Sequence, residues 1–168
     1  MSPAVPAPAP APAPSHETKT SSALTAQQQS DLLAAQNVYR TALGEPPLAW
    51  SDTLAAGAQE WAVHLATEAH ALVHSGVPGT GENLALYSGG RASLSQLVQL
   101  WGAEKPAFVN AKFPDISRTG NWMSTAHYSQ IVWRNTTSVG CGLASGGGKD
   151  YLVCRYTPAG NVAGERPY

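Results

Sequence analysis

HYSQIVWRNTTSVGCG, from His127 to Gly142, decides how this chain folds. A histidine stands at the start of a short helical turn, Ile131, Val132 and Trp133 give that turn its apolar side, and the segment ends in a strand bearing Cys141. A second stretch, YLVCRYTPAGN (Tyr151 to Asn161), carries the only other cysteine, Cys154. Gly147 and Gly148 sit midway between the two cysteines. Taking SGGGK as a hairpin loop fixes a register: Cys141 faces Cys154, Val139 faces Tyr156 and Leu143 faces Leu152, all on one side of the sheet. Directly opposed strand positions bring Cα atoms within about 5.5 Å, near the range a disulfide needs. A bridge there would contribute about 3 kcal/mol by chain-entropy models; two buried free thiols are the alternative.

Outward from the hairpin the pattern turns helical. Thr25 with Gln28 forms a capping box, and Leu32, Ala35, Tyr39 and Leu43 recur at helical spacing up to Gly44, predicting a first helix from Ala26 to about Leu43. A second helix is predicted after Ser51, with Leu54, Ala58, Trp61, Leu65 and Leu72 turned inward and an end near Gly76. GENLALYS (Gly81 to Ser88) reads as a strand broken by Gly89-Gly90. Ser93 with Gln96 is another capping box, opening a third helix whose core face is Leu94, Leu97, Val98 and Trp101 and which ends before Pro106. Residues 105–125 form a long loop with Phe108, Phe113 and Trp122. Helices first, strands between and after, fit an α+β fold: a three-layer α-β-α sandwich around a central, mainly antiparallel sheet.

The chain has 168 residues and suggests one domain. Its opening, MSPAVPAPAPAPAP, holds six of the 13 prolines and suits an extended, solvated segment. The organisation expected is therefore a Pro/Ala-rich flexible leader over residues 1–24 and one domain over residues 25–168. Net charge is −1 and 12% of residues are charged. No basic stripe exists for nucleic acid, and no apolar run approaches the length of a membrane span. The start lacks the apolar core of a signal peptide, which alone would place the chain in the cytoplasm. Asn135-Thr136-Thr137 is an N-glycosylation sequon, a sign of a secreted protein.

The two cysteine-bearing stretches resemble signature motifs of the CAP superfamily: cysteine-rich secretory proteins, antigen 5 and the pathogenesis-related class-1 proteins. The resemblance spans about residues 26–168 and is nearest to cysteine-poor fungal members. LLAAQNVYRTALGEPPLAW resembles the family's first helix, with Gln36-Asn37 where a His-Asn pair is usual. It implies a secreted, extracellular monomer that binds a small hydrophobic lipid, a sterol or a fatty acid, and is not an enzyme. It also implies the single bridge between Cys141 and Cys154.

Carried over from HSGVPGTGENLA, WGAEK and HYSQIVW, the family's cavity residues are His74, Glu82, Glu104 and His127. Two imidazoles and two carboxylates suit a divalent metal, zinc or magnesium, or a buried polar network without one. A metal-assisted hydrolase using a glutamate as base is the remaining possibility, although no nucleophile motif accompanies it. His70 and His74 lie four apart in the predicted second helix, but HALVH lacks the glutamate of H-E-x-x-H. Phe108, Phe113 and Trp122 suggest either a mobile apolar flap over a lipid or a loop folded back on its core. The C-terminal PAGNVAGERPY (Pro158 to Tyr168) matches a pattern that plant members release as a signalling peptide, which implies a receptor as alternative partner. The other expectation is a tail packed on the domain through Tyr168.

Overall fold

The computed structural model describes residues 23–88 and 93–168. The Pro/Ala leader up to residue 22, with His16, and the Gly89-Gly90 break lie outside the described residues. Among the described residues, four α-helices and four strands follow in the order α1 (Ala26–Thr41), β1 (Ala49–Trp50), α2 (Asp52–His64), β2 (Gly81–Ser88), α3 (Leu94–Gly102), α4 (Ala126–Val132), β3 (Ser138–Gly146) and β4 (Lys149–Thr157). Both capping boxes form: Thr25 with Gln28 opens α1, and Ser93 with Gln96 opens α3. Each satisfies two backbone N–H groups that a helix start leaves without partners. Leu24 is buried and joins the core cluster, so the packed domain begins no later than that residue.

The sheet runs β1-β3-β4-β2. β1 lies parallel to β3, and the other pairs are antiparallel. The hairpin register is the expected one, with Cys141 opposite Cys154, Val139 opposite Tyr156 and Leu143 opposite Leu152. The cysteines are joined by a disulfide. Alternation along the strands divides the core in two. Val139, Cys141, Leu152, Cys154 and Tyr156 face the cluster built with α1, α3 and α4. Leu84, Ala144, Tyr151 and Val153 face α2. The three layers are thus α2, the sheet, and the other three helices.

The predicted second helix is too long. α2 widens into a π turn, Leu65–Ala69, and stops at His70 in the left-handed region (φ 52°). Trp61 Nε1–H donates to the Val73 carbonyl at 2.8 Å and pulls the following chain back along the helix. Leu72, which continued the apolar stripe in sequence, is 42% exposed. His70 and His74 therefore do not share a helix face.

Candidate functional site

The four residues expected in one cavity come together two by two. His74 Nδ1 lies 2.9 Å from Glu82 Oε1. The same carboxylate accepts the Ser75 N–H at 2.9 Å and the Ser75 hydroxyl at 2.5 Å. On its other side the Arg155 Nε–H donates at 3.3 Å. Gly57 of α2 makes room for Arg155, since a Cβ there would overlap the guanidinium. Burial pushes the Glu82 carboxyl up, but His74 and the two Ser75 donors outweigh it and hold the group at about 2. The His74 imidazole is raised in turn, chiefly by its hydrogen bond to Glu82 and against the opposing effect of desolvation.

The second pair sits beyond α3. His127 Nδ1 lies 2.6 Å from Glu104 Oε1, and Glu104 Oε2 accepts the Tyr128 N–H at 2.9 Å. Trp101 stacks near the imidazole, with ring centroids 6.2 Å apart. The Asn83 amide donates to the His127 carbonyl at 3.0 Å and the Asn161 amide to that of Ala126 at 2.9 Å. Glu82 and Asn83 are neighbours on β2, so their side chains leave opposite faces of the strand. The two His–Glu pairs therefore flank the start of β2. Among the described residues no three or more His, Cys, Asp or Glu side chains gather as a metal-binding group. A carboxylate accepts from each Nδ1–H, which leaves each Nε2 as the open nitrogen.

Arg40 and Arg134, which sequence reasoning passed over, help hold this region together with Gln36. Arg40 of α1 is buried, and its guanidinium donates to four carbonyls: Pro46 (2.7 Å), Ile131 (3.0 Å), Trp133 (2.7 Å) and Thr136 (3.1 Å). It ties α1 to the C-terminal end of α4, where a cation is favoured. Gln36 takes the place of the family's usual histidine. Its amide nitrogen lies 3.8 Å from both cysteine sulfurs, and its oxygen accepts the Tyr156 hydroxyl at 2.7 Å. Arg134 forms a two-toothed pair with Glu45.

The long loop does not form a single flap. Phe108 is 7% exposed, sits edge-on to Tyr128 with centroids 5.1 Å apart, and belongs to the core. Burying that ring against Tyr128 and Tyr168 removes it from any lipid-facing surface. Phe113 and Trp122 do meet at the surface, edge to face at 5.2 Å, and Trp122 is 41% exposed. The C-terminal tail is strapped to this loop. Phe113 N–H donates to the Glu165 carbonyl at 2.8 Å, Gly164 N–H to that of Phe113 at 2.9 Å, and Arg166 to that of Asn110 at 2.6 Å. The Asn110 amide also bonds the Tyr168 carbonyl. Asn135 is exposed in the turn between α4 and β3, while Thr136 turns inward to Gln130 and Pro158.

A groove of about 760 Å³ opens elsewhere, along α1 between the start of α3 and the end of the hairpin. Ala35, Val38, Leu94 and Leu143 give it apolar walls, with Asp31 and Asp150 beside them.

Residues 33–156 match the model of CAP, the cysteine-rich secretory protein family. Pathogenesis-related protein 1C of Nicotiana tabacum is 39% identical over 141 residues, covering 83% of this chain and 80% of that protein. Protein PRY2 of Saccharomyces cerevisiae is 45% identical over 120 residues, covering 70% of this chain but 33% of that protein. Among solved structures, BmVAL-1 matches with a TM-score of 0.73 at 26% identity, covering 86% of this chain and 83% of that one. NaASP2, solved with Zn2+, matches with a TM-score of 0.74 at 22% identity over 87% of both chains, a likeness of fold.

Proposed function

The chain belongs to the CAP, or cysteine-rich secretory protein, family, and from that premise we propose that it is a secreted carrier of a small hydrophobic lipid, a sterol or a fatty acid. The observation that carries this is the groove along α1. Its volume of about 760 Å³ lies in the range of small-molecule sites, and Ala34, Ala35, Val38, Leu94 and Leu143 give it an aliphatic side, with a polar rim that includes Asp31 and Asp150. Secretion agrees with the disulfide and with an exposed Asn135 in its sequon.

A divalent ion fits the donor chemistry of the two histidines. His74 and His127 would hold it through Nε2, with Glu82 and Glu104 orienting the rings from behind. Nitrogen donors favour zinc over magnesium. When bound, the ion would supply a Lewis acid. No catalytic role is assigned to Glu82: a carboxyl held at about 2 is a poor base at neutral pH. Release of the C-terminal peptide would first require the strap to the 108–113 segment to break.

The test is equilibrium binding of a labelled sterol, with a fatty acid as competitor, before and after chelation. Saturable sterol binding supports the proposal. Binding lost on chelation and restored by zinc would link lipid to the histidines. Fatty-acid binding without sterol binding narrows the ligand, and neither would sink the carrier function.

A further inference from the structure

One exposed surface among the described residues lies apart from both the groove and the His–Glu pairs. Phe113, Trp122, Met123 and Val162 form an apolar ledge on the outside of the long loop. Trp122 and Met123 share a short 3-10 turn, and Met123 is 62% exposed. The Phe113 ring abuts Trp122. The Phe113 backbone pairs with Gly164 and Glu165, and Glu165 N–H in turn donates to the Val162 carbonyl, which brings the exposed Val162 close to Phe113 in the fold.

Cations frame it. Lys112 precedes Phe113, and Arg166 follows Glu165 and reaches Asn110. Arg118 lies in the turn whose Ser117 and Thr119 hydroxyls meet the Ser124 hydroxyl at 3.0 and 3.1 Å, beside Met123. All three are exposed, and among the described residues none is ion-paired. Asp115 and Glu165 are the acids nearby in sequence, and exposed Lys105 adds a fourth cation to the loop and tail. The opposite balance holds on α1 and the α2 region: Asp31, Asp52, Glu60 and Glu68 are exposed, while Arg40 is buried.

We propose that this ledge docks on an anionic lipid membrane, with Trp122 and Met123 entering the interface and Lys112, Arg118 and Arg166 meeting the headgroups. Tryptophan favours the membrane–water boundary, and basic residues near an anionic surface each add about 1 kcal/mol, or about fivefold in affinity. A protein partner would need about 800 Å² of matching surface; a bilayer needs only a small apolar foothold and the right charge. Docking here involves no residue of the groove, so it stands or falls separately from lipid carriage.

The test is co-sedimentation of the full chain with phosphatidylcholine vesicles, with and without about 30% phosphatidylserine, at low and high salt. Binding is expected only with the anionic lipid and should weaken with salt. Lys112→Glu with Arg118→Glu should cut affinity at least about 25-fold, at about fivefold per cation. Trp122→Ala with Met123→Ser should abolish binding and the accompanying fluorescence blue shift. All four side chains are exposed, and circular dichroism checks that the variants fold. Absence of binding at low salt, equal binding to neutral vesicles, or binding indifferent to either double variant would overturn the proposal.

Discussion

Gly142 of β3 lies directly against the backbone of Gln59 in α2, and a Cβ on the glycine would overlap it. Gln59 completes the contact by donating its amide to the Leu143 carbonyl at 2.9 Å and accepting the Leu143 N–H at 3.0 Å. The helix is therefore seated on the sheet at backbone distance. Gly142→Ala must lift α2, and a loss of about 1–3 kcal/mol is expected. Denaturant midpoints compared at unchanged slope check it.

Arg40→Met removes the donor that four carbonyls share. Stranding them should cost at least about 3 kcal/mol, or roughly 6–12 °C in Tm. Arg40→Lys should recover part of that, because one ammonium has three donors. Thermal melts of the two variants decide it; equal melts would show that the carbonyls find water instead.

The His74–Glu82 pair sets a pH window. The folded Glu82 carboxyl at about 2, against an ordinary 4.5, contributes stability that is complete above 4.5 and lost as pH falls towards 2. The raised His74 contributes stability that is complete below its ordinary 6.5 and lost as pH rises through its higher folded value. The pair's contribution should peak between about 4.5 and 6.5. Urea titrations of the protein and of Glu82→Gln across pH 3 to 9 should differ most there.

Zinc titration by calorimetry tests the two-histidine site. His74→Ala and His127→Ala should each lower zinc affinity at least about tenfold, and His74→Ala should leave the fold intact because that ring is largely solvent-facing. Retention of full affinity by either variant would exclude that ring as a ligand.

Asn110→Ala cuts the tie between the loop and Tyr168. A loss of about 1–2 kcal/mol is expected, and hydrogen exchange should accelerate in residues 108–118 and 162–168 together. Acceleration in the tail alone would mean that the strap does not hold the loop.

Much of the fold was readable because its signals are local. Gly147 and Gly148 mark the hairpin tip and alternation then fixes every facing pair, while the capping boxes at Thr25 and Ser93 mark two helix starts. The end of α2 was not readable: Leu72 keeps the helical spacing, and only the tertiary bond from Trp61 to Val73 shows why the chain turns away. Arg40 looks like an ordinary helix charge until the carbonyls of Ile131 and Trp133 arrive from far along the chain. His74, Glu82, Glu104 and His127 came from family resemblance, and their spacing held no hint that they meet as two pairs. Phe108 and Phe113 are alike in sequence, but only Phe108 has Tyr128 and Tyr168 to cover it.

α4 has seven residues, too few to persist alone in water. Its termini and its histidine are held by Arg40, Asn83, Glu104 and Asn161, drawn from nearly every part of the domain. Such long-range closure comes late in folding. The His127–Glu104 half of the site is therefore complete only once the segment around Asn161 has joined the domain.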